Sequence, residues 1–579
     1  MAYDLKITDA VIIDGTGSPR YSGDIGVADG KIVALGKAPD SASRTVNARG
    51  QVAAPGFVDI HTHYDAQLMW DPLLTVSPWH GVTTVVMGNC GFTLAPTRVA
   101  HREMVMRTFE RVEGMSFSAL EQGLGKDWGF VSYPEYLDAV ERRGTGINVA
   151  SMIGHTALRL YAMGEAAVER TATDAEIAEM QHLVADGMQA GAIGFSTSLA
   201  SAHNGFGGKP VASRFADTKE RLAIGQTMRE AGRGIIQMVG DATPRPWDEY
   251  IGMAKASQRP VCWGGLHGSQ AIPGNHLREL ERTRELLASG LRIYPQAACR
   301  PTVFEYSMGE PVGSMAGWEL LQPLVKAASA EAKLAFLSDP AVRRRMRDVM
   351  DGPGEHDHYL APDKYQASLF RHGFKMTEIS WYPPEPALEG RLAAEIAAER
   401  GQHFVDLIID MSLATKLDAR FRTPLSNFDD DQLQDVMVDP NVVVGFGDGG
   451  AHLSQLCDAV YATFFLKHWV RERRALSLEE GVRRLTSNTA TLYGLSDRGR
   501  LAPGVPADIV VFDPDTIGPG RAERVYDLPG GGERIIAGAN GVSEVFVNGV
   551  SLPKQGESLQ AGSRLAGRLL RHGRASPKN

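Results

Sequence analysis

The sequence predicts an α/β protein: a (β/α)8 TIM-type barrel with a small β-sandwich domain formed from its N- and C-terminal segments. Three observations carry this. Between about residue 55 and residue 496, short apolar runs alternate with long helical stretches, the pattern of repeated βα units around a parallel sheet. The strand-like runs amount to eight, enough to close a barrel. The two ends share a strand-and-turn texture that the middle lacks.

Taken in order, residues 1–56 contain DLKITDAVIID and DIGVADGKIVALG, alternating apolar residues with a hairpin signal at Asp29-Gly30. Residues 57–496 form the barrel. Its strand candidates are GFVDIHTH (56–63), TTVVMGNC (83–90), INVASMIGH (147–155), AIGFSTS (192–198), GIIQMVG (234–240), PVCWGGLH (260–267), LRIYPQA (291–297) and VVVGFGD (442–448). Segments such as 174–191 and 218–232 carry apolar residues at helical spacing and stop at glycine. A long insertion at about 300–440 exceeds any ordinary βα connection and predicts added helices over the barrel mouth. Within it, SWYPPEP (380–386) supplies aromatic lid surface, whereas HDH (356–358) reads as an exposed loop. Residues 497–560 return to strands, with Asn548-Gly549 as a second turn. Isolated hairpins are marginal in water, so the two ends are expected to join. Residues 561–579 form a basic tail, either a solvated helix or a docking arm.

Composition narrows the function. Lys+Arg 60 against Asp+Glu 69 gives a net charge of −9, which repels nucleic acid. No apolar run is long enough to span a membrane, and the N-terminus lacks a secretory pattern, so a cytoplasmic protein is expected. The 4 cysteines lie far apart and form neither a disulfide framework nor a CxxC site. No nucleic-acid partner and no membrane partner is expected; a homo-oligomer is left open.

The chemistry sits at strand ends. In GFVDIHTH, alternation puts Asp59, His61 and His63 on one face, where two imidazoles can bind one metal ion. Asp448, in GFGDGGAH, is flanked by glycines and suits a proton-transferring carboxylate or metal ligand; the plainer reading is a helix N-cap.

PGFVDIHTHYD, the glycine-flanked Asp448 and the divided β segments resemble the amidohydrolase superfamily. GVTTVVMGNCGFTLAP (81–96), INVASMIGHTALR (147–159), GAIGFSTSL (191–199) and RGRLAPGVPADIVVFD (498–513) are similar to its N-acyl-D-amino-acid deacylase (D-aminoacylase) branch. The resemblance implies metal-assisted amide hydrolysis, zinc held by histidines and by Cys90, Asp448 as catalytic proton shuttle, and His155 near the metal as a second catalytic group. It also implies a histidine and an arginine at the fifth strand, where this chain has Gln237, Met238 and Val239. It further implies a histidine at the sixth strand, where His267 lies two residues beyond the expected place, on the same face by strand parity, and is the substitute ligand. The expected metal set is therefore His61, His63, Cys90, His267 and Asp448, holding one zinc ion in preference to two. The fourth strand carries Ser196 where cyclic-amide hydrolases commonly carry a bridging lysine. Ser196, His203 and Arg300 are the expected substrate-binding residues. The function expected is hydrolysis of a linear amide, the small-molecule amide substrate being an N-acyl amino acid or related N-acylated amine. The alternatives are a cyclic-amide hydrolase or deaminase on the same barrel, and a non-catalytic scaffold.

Overall fold

The computed structural model describes residues 2–242, 244–269, 272–310, 319–351, 372–557 and 565–574. The chain opens with β1 (Tyr3–Ile12), β2 (Tyr21–Ala28), β3 (Lys31–Gly36), β4 (Ala42–Asn47) and β5 (Val52–Pro55). β2 and β3 turn across Asp29 and Gly30 at φ 51° and 70°, the left-handed pair that a type I′ hairpin requires.

Eight parallel strands follow: β6 (Phe57–Asp59), β7 (Val82–Met87), β8 (Asn148–Gly154), β9 (Gly194–Ser198), β10 (Ile235–Val239), β11 (Val261–Gly264), β12 (Ile293–Ala297) and, after the insertion, β16 (Val443–Val444). All eight arise from the runs expected to form them. Each pairs with the next in chain order. The sheet curls in the manner of a TIM-type barrel until its first and last members meet beyond their regular ends. There His61 O accepts from Asp448 N–H at 3.0 Å, and Gly449 O accepts from His63 N–H at 2.7 Å. Both faces of these strands are covered, so β7 and β8 are buried at every residue, the polar Thr83, Thr84, Asn148 and Ser151 included. Val58, Ile60, Val86, Met152, Ile235 and Val443 form one cluster inside the curl. Outside it run helices such as Asp174–Ala190, begun by a Thr173/Glu176 capping box and ended at Gly191.

The insertion contributes β13 (Thr302–Ser307), β14 (Glu378–Trp381) and β15 (Arg420–Ser426), in the order β13-β15-β14. It has its own apolar cluster, including Leu337, Met346, Ile379, Ile408 and Phe421. It touches the barrel mouth through β13, where the Phe304 ring lies 5.7 Å from that of His452. Trp381 of SWYPPEP is 41% exposed and lines a cavity of about 560 Å³ beside Arg521 and Tyr526. HDH (356–358) lies outside the described residues.

After the barrel come β17 (Ile509–Phe512), β18 (Gly518–Leu528), β19 (Gly532–Asn540), β20 (Val542–Val547) and β21 (Val550–Ser551). β17 pairs antiparallel with β5 on one side and β20 on the other, which unites the two ends of the chain in one eight-stranded sheet. Leu5, Ile7, Ile25, Val27, Ile509 and Phe546 make its core. The ladders form a single sheet and do not divide it into two facing layers; β18 and β19 form a separate ribbon. The C-terminal arm docks: Leu570 N–H donates to Val149 O at 2.7 Å, and its side chain joins the cluster inside the barrel.

Candidate metal centre

The regular part of β6 ends at Asp59, and the next turns of chain set up the site. Asp59 Oδ1 accepts from His61 N–H at 3.1 Å and from Gly447 N–H at 3.4 Å, which ties its carboxylate to the backbone of the two strand ends. Among the described residues it is not one of the clustered ligands. His61 and His63 do converge, with ring centroids 5.4 Å apart.

Cys90 enters from the loop after β7. Gly88, Cys90 and Gly91 all have left-handed backbone, at φ 80°, 55° and 81°, so the chain doubles back and aims the thiol inward. Four side chains, one of them the loop's own Asn89, fix this loop. Asp65 Oδ2 accepts from Gly88 N–H at 3.0 Å, and Asn89 Nδ2 donates to Val86 O at 2.9 Å. Gln237 Oε1 accepts from Cys90 N–H at 2.9 Å. Ser196 Oγ accepts from Gly91 N–H at 2.9 Å and donates to Gly88 O.

His61, His63 and Cys90 bring their ligand atoms within 4.8 Å of one another, all buried. Cys90 Sγ lies 3.3 Å from His61 Nε2. Asp448, held after β16 at φ 41°, sets Oδ1 3.5 Å from His61 Nε2 and 3.7 Å from His63 Nε2. Its side chain is 15% exposed against 1% for His61, so Asp448 is the member open to the outside.

The neighbours orient the imidazoles. His61 Nδ1 meets Gln296 Oε1 at 3.0 Å; donation there leaves the Nε2 lone pair for the centre. His63 Nδ1 lies 3.1 Å from Glu113 Oε1, close but off the line of a hydrogen bond, which turns Nε2 toward Asp448. Phe446 stacks on His61 at 4.0 Å with its planes 18° apart, and it fills the space against Gly264, where an added Cβ would lie 2.9 Å from the ring.

Burial dominates the electrostatics. It lowers His61 to about 4. It also lowers His63, helped by the charges of His61, His452 and His203. Cys90 is raised by burial and then by Asp448 and Glu113, and Asp448 by burial and then by Asp458 and Asp59. Two neutral imidazoles thus sit against a thiol and a carboxyl group that burial keeps protonated, four potential ligand atoms crowded together. A divalent cation is the species that such a set accommodates, since it ionises the thiol and carboxylate and uses the lone pairs. Nitrogen and sulfur ligands suit zinc.

The other expected residues have different neighbours. His267 is not in the cluster: β11 ends at Gly264, so strand parity does not extend to it, and its Nδ1 faces Asn427 Nδ2 at 3.5 Å. His155 starts a helix; its Nδ1 meets Thr197 Oγ1 and its Nε2 meets Glu220 Oε1, both at 2.8 Å, so neither nitrogen serves the centre. Ser196 uses its hydroxyl on the Cys90 loop and not on a ligand. Arg300 is ion-paired with Asp458 and donates to Cys457 O at 2.8 Å. His203 Nδ1 meets Ser198 Oγ at 2.7 Å, and burial, with the His452, Arg214 and His61 charges, lowers it to about 3. Sequence reading missed Glu113, Gln296 and His452, and named Gln237 only as the residue in place of a histidine, without its bond to the Cys90 loop. The helix Arg102–Glu113 gives no local sign that its last carboxylate turns inward, whereas Gln237 and Gln296 are polar residues in apolar strands and can be recognised as such.

A family model described as "Amidohydrolase family" matches residues 44–552. The D-aminoacylase of Alcaligenes xylosoxydans xylosoxydans is 29% identical over 552 residues, covering 94% of each chain. The solved N-acyl-D-glutamate deacylase of Bordetella bronchiseptica, complexed with zinc and a phosphonate inhibitor, superimposes with TM-score 0.66 at 26% identity, covering 99% of this chain and 100% of that one. A solved D-aminoacylase described as having a binuclear metal centre, with one-metal activation and second-metal attenuation, gives TM-score 0.65 at 25% identity, covering 98% and 99%.

Proposed function

The chain belongs to the amidohydrolase family, and on that premise we propose that it is a metal-dependent deacylase of linear amides, acting on N-acyl amino acids or related N-acylated amines. The observation that carries this reading is the convergence of His61, His63, Cys90 and Asp448 at strand ends on the barrel mouth. The named relatives, D-aminoacylase and N-acyl-D-glutamate deacylase, support the substrate class.

Asp448 lies beside His61, His63 and Cys90, which would hold the metal, zinc. When bound there, it supplies a Lewis acid that polarises the scissile carbonyl and makes water more acidic. Asp448 accepts the proton of the attacking water on its carboxylate and delivers it to the departing amine nitrogen. Its reach to the outside suits that task, and His61 and His63 cannot share it because their nitrogens are committed. His203 and His452 flank the carbonyl and orient it.

A single ion is favoured by two features. Gln237 stands where the resemblance calls for a fifth-strand histidine, and Phe446 fills the space beside Gly264. The missing fifth-strand arginine removes a bidentate partner for a substrate carboxylate, which favours substrates whose amine part lacks one or presents it differently. Ser196, tied to the Cys90 loop, leaves the bridging lysine of cyclic-amide hydrolases without a counterpart.

The test is a panel of N-acyl-D-amino acids, N-acyl-L-amino acids, neutral N-acylated amines and hydantoins, offered to zinc-loaded protein. Linear amides turning over at least about tenfold faster than hydantoins is the expected result. Turnover of hydantoins alone would overturn the reading.

A further inference from the structure

The rim of the barrel opposite the metal centre carries a recurring feature. Arg233 lies two residues before β10, Arg259 two before β11 and Arg292 one before β12. Successive βα units therefore deliver one guanidinium each to the N-terminal ends of neighbouring strands. They line one concavity of about 260 Å³, together with Tyr493 and His572. His572 arrives on the C-terminal arm. Leu570 is buried, Arg571 pairs with Asp138 and Glu141, and His572 N–H donates to Gly191 O at 2.8 Å.

Among the described residues, no acid pairs with Arg233, Arg259 or Arg292, and the guanidiniums are tethered by backbone carbonyls alone. Arg233 donates to Met188 O at 2.9 Å, Arg292 to Gln258 O at 2.9 Å and Arg259 to Gly232 O. Each tether fixes the fork while leaving other N–H groups to point elsewhere. Arg259 Nε is buried with no partner. Burial and the adjacent Arg292 charge also lower the Arg259 guanidinium, so like charges face one another at close range. A chain of net charge −9 has carboxylates to spare, yet none is placed here.

We propose that this rim binds a phosphoryl-bearing anion, at a site separate from the metal centre. The geometry selects the ligand. Forks arriving from three strands surround a small hollow, and a phosphoryl group offers several acceptor oxygens in tetrahedral directions, whereas one carboxylate offers two in a plane. The bound anion would also tie the C-terminal arm, through His572, to three barrel strands.

Calorimetric titration of the metal-loaded full chain with pyrophosphate tests the proposal. Citrate serves as the carboxylate comparison, and the exposed-site variants R292Q and R233Q/R292Q as controls. One anion per chain is expected, with a Kd below about 1 mM in modest salt, rising about tenfold or more in R292Q and further in the double variant. Citrate is expected to bind at least about tenfold more weakly. Hydrolysis without added anion should be the same in wild type and variants, which also checks that they fold. Absence of wild-type binding, or a pyrophosphate Kd that the variants leave unchanged because the anion sits on the metal, overturns the proposal. Citrate binding as tightly as pyrophosphate overturns the phosphoryl assignment.

Discussion

Asp448 sits at the partly open edge of the cluster, beside the imidazoles of His61 and His63, and a single substitution separates its roles. Asp448→Asn keeps the shape and removes the proton-carrying oxygen. Turnover should fall by about 10²–10⁴-fold, the range for losing a general acid–base, while His61, His63 and Cys90 retain the metal. Equal loss of metal and activity would instead make Asp448 chiefly a ligand. Ser196→Ala should act from one layer further out. It frees the Gly88–Gly91 loop that aims Cys90, so metal affinity should fall about 10–100-fold, with little change in kcat once zinc is saturating. Competition against a chromogenic chelator reads that difference; unchanged affinity would leave the Cys90 loop rigid without Ser196. At this scale the sequence was informative where chemistry coincides with a strand end, as at His61, His63 and Asp448. Cys90 came from family resemblance. Glu113 was invisible, because it joins His63 from a distant helix and no local pattern records that approach.

Elements explain why His155 lies apart. β8 ends at Gly154, so His155 opens a helix and turns toward Thr197 and toward Glu220 on the helix Thr218–Glu230. Glu220 also pairs with Arg159, and all three side chains are buried. Glu220→Ala strands the guanidinium without its counter-charge and should cost about 3–5 kcal/mol, read from the denaturant midpoint. A loss below about 1 kcal/mol would mean that water reaches the network. His267 departs for a similar reason: the expected eight-residue strand stops after Gly264, and parity cannot be carried along chain that has left the ladder. The two hairpin signals, Asp29-Gly30 and Asn548-Gly549, were legible because only a few residue types tolerate left-handed backbone, and both pairs adopt it. The insertion was legible in its extent and in having helices of its own, such as Phe404–Ala414, but not in its packing, since its core forms between segments far apart in sequence.

For the whole molecule, burial of neutral histidines couples folding to pH. His80 lies against the C-terminal ribbon, near Thr463 Oγ1 at 2.7 Å and Ala537 O at 3.0 Å, and burial lowers it to about 4 from an ordinary value of 6.5. A depressed pKa means that the unfolded chain takes up the proton first. The stability from neutral His80 is therefore complete above about pH 6.5 and is lost as pH falls toward 4. Thermal unfolding of wild type and His80→Gln should show a gap that narrows over this window; a gap independent of pH would contradict it. The alternation of strand and helix made all eight barrel strands legible, because a sheet buried on both faces writes itself as apolar runs. The joining of the termini was legible as a shared texture, but the pairing of β5 with β17 depends on contacts across most of the chain. The central claim, that one metal on His61, His63 and Cys90 drives amide hydrolysis, is tested most directly by elemental analysis of purified protein alongside His61→Ala/His63→Ala. The account predicts about one equivalent of zinc per wild-type chain, and loss of both zinc and N-acyl-amide hydrolysis in the variant. Full hydrolysis by metal-free wild type, two equivalents that both survive dialysis, or undiminished zinc in the variant would contradict it.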